Sequence, residues 1–97
     1  MDLLIKNRKL IPRLSNITQR DWVKLAERKG FLVVYGNSGS HYINIRDSKF
    51  PNPQDVNGLI TTLTPNCFKQ ANIQIFKRFI IKGGMLEDDV WRNLGLL

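Results

Sequence analysis

The chain has 97 residues, enough for one compact domain and too few for two ordinary ones, so residues 1–97 are read as a single domain. Hydrophobic and charged fractions of 42% and 24% exclude wholesale disorder. The lone cysteine, Cys67, excludes an internal disulfide, and no apolar run reaches the roughly 20 residues of a membrane span.

The opening apolar block is too short for a secretory signal and is broken at once by Lys6, so a cytoplasmic protein without membrane contact is expected. One histidine and one cysteine are a poor start for a metal site, so neither metal nor cofactor is expected. Fifteen Lys and Arg against eight Asp and Glu give a formal charge of +7. Ten of those cations and four of the acids lie in residues 1–49, against five and four in the remainder. A basic half attracts polyanions through counterion release, although the same charge can simply keep a small domain soluble or draw an acidic protein.

Residues 2–17 fit no single period. Leu3, Leu4, Ile5, Leu10, Ile11 and Leu14 are irregularly spaced and Pro12 interrupts any long helix, leaving an edge strand, a short helix or a packed tail. Thr18 followed three residues later by Asp21 resembles a capping box. Trp22, Leu25 and Ala26 then define one apolar helical face, with Arg20, Lys24, Glu27 and Arg28 mostly elsewhere on the cylinder, and Gly30 supplies a left-handed stop.

Two β-rich runs follow, residues 31–35 and 41–45, around a Gly/Asn/Ser cluster at 36–40, which predicts a hairpin. Alternation puts Tyr42, Asn44 and Arg46 on one face and His41, Ile43 and Ile45 on the other, with His41 at the rim. Pro51 and Pro53 mark a loop, Asn57 and Gly58 a turn, and residues 59–63 a third strand ended by Thr64, Pro65 and Asn66. From Asn72, the positions of Ile73, Phe76, Phe79 and Ile80 predict a helix closed by Gly83 and Gly84. A last short helix opens on Glu87, Asp88 and Asp89, acids that suit a helix N-terminus, and clamps Val90, Trp91 and Leu94 onto the core. The expected fold is therefore α+β, ordered α-β-β-β-α. It has a three-stranded antiparallel sheet with helices on one face and a short C-terminal helix.

His41 is the only histidine, and imidazole is the side chain suited to both taking and giving a proton near neutrality. RNA carries its own nucleophile, the 2′-hydroxyl, so a metal-free nuclease needs a base or acid, charge stabilisation and in-line geometry. His41 could serve as that base or acid. Lys24, Arg46 and Lys49 are candidates to hold phosphate, and Tyr42 either stacks a base or covers the sheet. Ser40 reads as a turn residue and Cys67 as a small hydrophobe. Trp22, Trp91, Phe76 and Phe79 read as core, and Lys77 with Arg78 as a solvated helix face. A lone strand histidine is, on residue type, structural more often than catalytic.

Residues 22–31, running from Trp22 through Gly30 to Phe31, and then Gly39, Ser40, His41 and Tyr42, resemble the HicA toxins of type II toxin–antitoxin systems. The likeness runs from about Thr18 to Leu94. It implies a double-stranded-RNA-binding-like fold, metal-independent cleavage of mRNA and a cognate HicB-like antitoxin. It also implies a catalytic role for His41, with Gly39 and Ser40 as the family's glycine and serine beside the RNA. Family members are usually shorter, so residues 1–17 count as an extension and 18–97 as the family-like core. The loop at 48–56 is longer here, and Pro65 is not followed by the histidine often found there. Two other readings stay open. One is a non-catalytic RNA-binding module on the same fold; the other treats residues 73–82 and 87–94 as a DNA-reading helix-turn-helix.

Overall fold

The expected capping box opens the first helix, α1 (Gln19–Arg28), in the computed structural model, which describes residues 5–36 and 41–97. The Asp21 amide donates to the Thr18 hydroxyl at 3.2 Å and the Thr18 amide to the Asp21 carboxylate at 2.9 Å. Two donors that a helix start leaves unpaired are thereby satisfied. At the far end Gly30 takes φ +81°, where a Cβ would be strained. The Phe31 amide then bonds back to Ala26 at 2.9 Å and turns the chain into the sheet.

Strands β1 (Leu32–Tyr35), β2 (Ile43–Arg46) and β3 (Leu59–Leu63) form an antiparallel meander in the order β1-β2-β3. Val33, Ile45 and Thr61 pair across one row, and Val34, Asn44 and Thr62 across the next. The first row faces the helices, with Ile45 fully buried. The second faces out, where Thr62 donates to Asn44 at 2.7 Å. Helices α2 (Lys69–Ile81) and α3 (Glu87–Asn93) complete the α-β-β-β-α order with its short C-terminal helix. Helix α2 starts three residues before the position its periodicity predicts, because Lys69, Gln70 and Ala71 are good helix formers that carry no apolar signal. Its buried stripe is Asn72, Ile75, Phe76 and Phe79, while Ile73 and Ile80 are only half-buried.

The four aromatic side chains assigned to the core are all fully buried. Trp22 stacks on Phe79 at 5.5 Å between ring centroids, Phe31 tilts against Phe79 at 5.6 Å, and Phe76 tilts against Trp91 at 4.4 Å. Pairs of this kind contribute about 1 kcal/mol each beyond their area burial.

Residues 5–17 belong to the same core. A 3₁₀ helix over Arg8–Asn16 runs through Pro12 and buries Leu14, flanked by buried Ile5 and Ile17. Two distant polar side chains hold this segment. Asn72 donates to the Leu14 and Ile17 carbonyls at 2.6 and 2.9 Å and accepts the Trp22 indole N–H at 2.8 Å. Glu87 accepts the Lys6 and Asn7 amides at 2.7 and 2.8 Å and the Trp91 indole at 2.9 Å. Burial pushes the Glu87 carboxyl up, but these donors and the Lys6 charge outweigh it and hold the group below its ordinary 4.5. A depressed folded-state value adds stability above the unfolded-state value and loses it as pH falls through the folded one. Glu87→Gln is therefore expected to lower stability at neutral pH by about 1 kcal/mol, discounted for partial exposure. It should also flatten the wild-type loss of stability below pH 4.5, as read by chemical denaturation across that range.

Arg46 departs from the expected pattern. A register shift between Ile45 and Arg46 breaks the alternation, and Arg46 is 3% exposed instead of lying on the open face. Its guanidinium donates to the Phe50, Asn52 and Asp55 carbonyls, gathering the proline-bearing loop at 47–58 around itself. Gly58 packs so close that a Cβ there would collide with the Phe50 side chain and the Arg46 guanidinium. Arg46→Met is expected to open this loop to proteolysis between residues 50 and 55 and to cost about 2–3 kcal/mol, since three partly buried carbonyls lose a charged donor. Arg46→Lys should not restore it, because a single ammonium cannot span the three acceptors. Arg78 departs in the same way: its Nε donates to the Ile60 carbonyl at 2.6 Å on the outer edge of β3 instead of pointing into solvent.

Candidate functional site

Gln19, the first residue of α1, positions the start of β2. Its side-chain amide donates to the His41 carbonyl at 2.7 Å and to the Leu63 carbonyl at 3.2 Å. One side chain thus ties the opening of β2 and the end of β3 to the N-terminus of α1. The Gly36 amide adds a bond to the Tyr42 carbonyl at 3.2 Å, closing the base of the hairpin. His41 is consequently an exposed side chain on an anchored backbone, at the rim as expected. Gly39 and Ser40 lie outside the described residues.

A groove of about 340 Å³ runs between α1 and the ends of β1 and β2. Gln19, Val23 and Ile43 line it, with Tyr35 on the strand side and Arg20 and Lys24 on the helix side. Arg20 and Lys24 are four residues apart, hence neighbours on one helix face, and both are exposed. Glu27 supplies a carboxylate in the same lining. Two adjacent cations in a shallow groove can hold a phosphodiester, and Gln19 in the same lining anchors the backbone of His41.

The other expected contacts are distributed unevenly. Tyr42 is 54% exposed and follows His41 directly, just ahead of β2. Lys24 is in the groove, but Lys49 is not. It follows the far end of β2, in a depression with Lys29, Asp47 and Asp89, and its amide bonds Asp47 at 2.9 Å. Arg46 is removed from the set of phosphate ligands by its burial among loop carbonyls. Sequence reading missed Arg20, Gln19 and Tyr35. The i, i+4 spacing of Arg20 and Lys24 was the available signal for the first. Nothing local announces that Gln19 bridges two strands.

Cys67 is half-buried and packs against the core, with Sγ 3.2 Å from the Thr64 carbonyl. Burial pushes its thiol up, against a lowering hydrogen bond with Thr64, which is the opposite of an activated nucleophile. Helix α3 buries Val90 and Trp91 and leaves Asp88 exposed, and Asp89 pairs with Arg92 at 3.2 Å. A helix-turn-helix reading gains nothing from so acidic a surface. Among the described residues, no three His, Cys, Asp or Glu side chains gather as metal ligands, and no helix is long and apolar enough to cross a membrane. No family model, curated protein or solved structure matches the chain.

Proposed function

We propose that the chain is a metal-independent endoribonuclease that cleaves mRNA, acting as the toxin of a HicA-like toxin–antitoxin pair in the cytoplasm. The observation that carries this reading is the exposed His41, whose backbone is anchored by Gln19, a residue that lines the same groove as Arg20 and Lys24. In the proposed reaction the 2′-oxygen of one nucleotide attacks the adjacent phosphorus, and the bond to the 5′-oxygen of the next nucleotide breaks. The products are a 2′,3′-cyclic phosphate and a free 5′-hydroxyl. His41 takes the 2′-proton or delivers a proton to the leaving oxygen, water or a lysine serving the other end. Arg20 and Lys24 offset the charge on the phosphorane.

The partner implied by the resemblance is a HicB-like antitoxin, which would neutralise the toxin by covering His41 and setting carboxylates against the basic half. A complex that leaves His41 open to solvent would refute that mode of inhibition. A second reading, an RNA-binding module without catalysis, is favoured by the single histidine. The two are separated by incubating the purified chain with an unstructured transcript in EDTA, wild type beside His41→Ala. Cleavage that disappears in the variant supports the nuclease. Binding without cleavage by either protein supports the module.

A further inference from the structure

Gln19, which bonds the His41 carbonyl, also lies in the wall of a second groove of about 270 Å³. Thr18, Pro65, Asn66, Cys67 and Phe68 complete it. The two grooves therefore meet at the residue that holds His41, and each carries a large aromatic side chain turned to solvent. Tyr35 is 64% exposed in the first and Phe68 is 61% exposed in the second. The geometry points to a track for single-stranded RNA in which Tyr35 and Phe68 are base-stacking platforms on either side of Gln19, the residue that holds the His41 backbone. This inference rests on the ribonuclease reading and adds to it the substrate's unpaired state and two positioning residues.

Both rings are borne on anchored backbone. Tyr35 pairs with Ile43 at the end of β1, and the Phe68 carbonyl accepts the Asn72 amide at 2.9 Å as α2 begins. Neither packs into the core that absorbs Trp22, Phe76, Phe79 and Trp91. Arg20 and Lys24 share the first groove with Tyr35, the His41 backbone is held by Gln19 where the two grooves meet, and exposed Lys69 follows Phe68 directly. Cations along a groove with aromatic faces at intervals are how proteins hold single strands: phosphates meet the charges and bases lie on the rings. Paired bases are already stacked within their own helix and cannot use such platforms. Stacking accepts any base, so the track selects unpaired RNA with little regard to sequence.

The test uses the full chain carrying His41→Ala, so that bound RNA stays intact, with an unstructured RNA containing 2-aminopurine and a duplex of equal length. Tyr35→Ala and Phe68→Ala are each expected to weaken single-strand binding by roughly 5- to 150-fold, the worth of one stacked base. They should also remove the quenching of 2-aminopurine and leave duplex binding unchanged. Tyr35→Phe, which keeps the ring, should bind as the parent does, and unchanged thermal melts will show that the variants fold. Aromatic variants that bind single strands like the parent overturn the track and turn these rings over to a protein interface. A parent that binds duplex as tightly as single strand overturns it too. Cleavage by wild type that is lost in His41→Ala would then leave the nuclease standing alone. Aromatic-dependent binding without any cleavage would leave the track standing without the nuclease. A chain that binds no RNA removes both.

Discussion

Replacing His41 with alanine is expected to slow RNA cleavage by about 10²- to 10⁴-fold, the usual worth of a general acid or base. The melting temperature should stay where it is. The imidazole is exposed, and the hydrogen bond that fixes this residue is made by its backbone carbonyl, which alanine retains. Substrate affinity should also be nearly unchanged, so the loss falls on kcat and not on KM. Charge reversal at Arg20 or Lys24 should do the opposite. It should weaken RNA binding, reduce the salt dependence by about one counterion per lost phosphate contact, and spare the fold. Cleavage at the wild-type rate by His41→Ala, in EDTA and free of contaminating nuclease, would remove His41 from the reaction and with it the case for this nuclease.

Asn72→Leu is expected to be among the most damaging polar-to-apolar changes to the fold, costing about 3–4 kcal/mol. Asn72 is fully buried and uses both amide hydrogens and its oxygen at once. Leucine keeps the branched outline at a larger volume, takes the Asn72 bonds from the Ile17 carbonyl and the Trp22 indole, and leaves the Leu14 carbonyl with the Ile17 amide alone. Each orphaned group carries its own desolvation cost. For a domain of this size that cost corresponds to a fall of roughly 12–30 °C in melting temperature. Asn72→Asp should not rescue it, since a carboxylate can accept the indole proton but cannot donate to two carbonyls. A thermal melt within a few degrees of wild type for Asn72→Leu would show that water or a rearranged 3₁₀ segment takes over those bonds. The hub would then be incidental. Unfolding should begin with separation of residues 5–17, which hydrogen exchange at the Ile17 amide would register first.

The features legible in the chain are those whose physics is local. Thr18 and Asp21 satisfy each other across one helical turn, and Gly30 adopts its left-handed conformation for lack of a Cβ. The alternation around Ile43, Asn44 and Ile45 reflects the period of a strand, and the spacing of Phe76 and Phe79 that of a helix. The meander and the single covered face follow from these with little more than connection lengths.

For the candidate site, the chain alone puts forward His41 with Lys24 and Tyr42, and all three are exposed. It could not reveal that Arg20, Tyr35 and Gln19 join them, nor that Arg46 is withdrawn. Alternation assigned Arg46 to the open face, but a register shift beside it and three carbonyls of the following loop drew the guanidinium inward. Residues 5–17 had no period to read, since their order comes from Asn72 and Glu87, 55 to 81 positions away in sequence. Local propensity determined where helices and strands form. Tertiary structure decided which polar side chains stay in solvent to meet a ligand and which are consumed in holding the fold, because a buried carbonyl or amide must find a donor or acceptor wherever the folded chain brings one within reach.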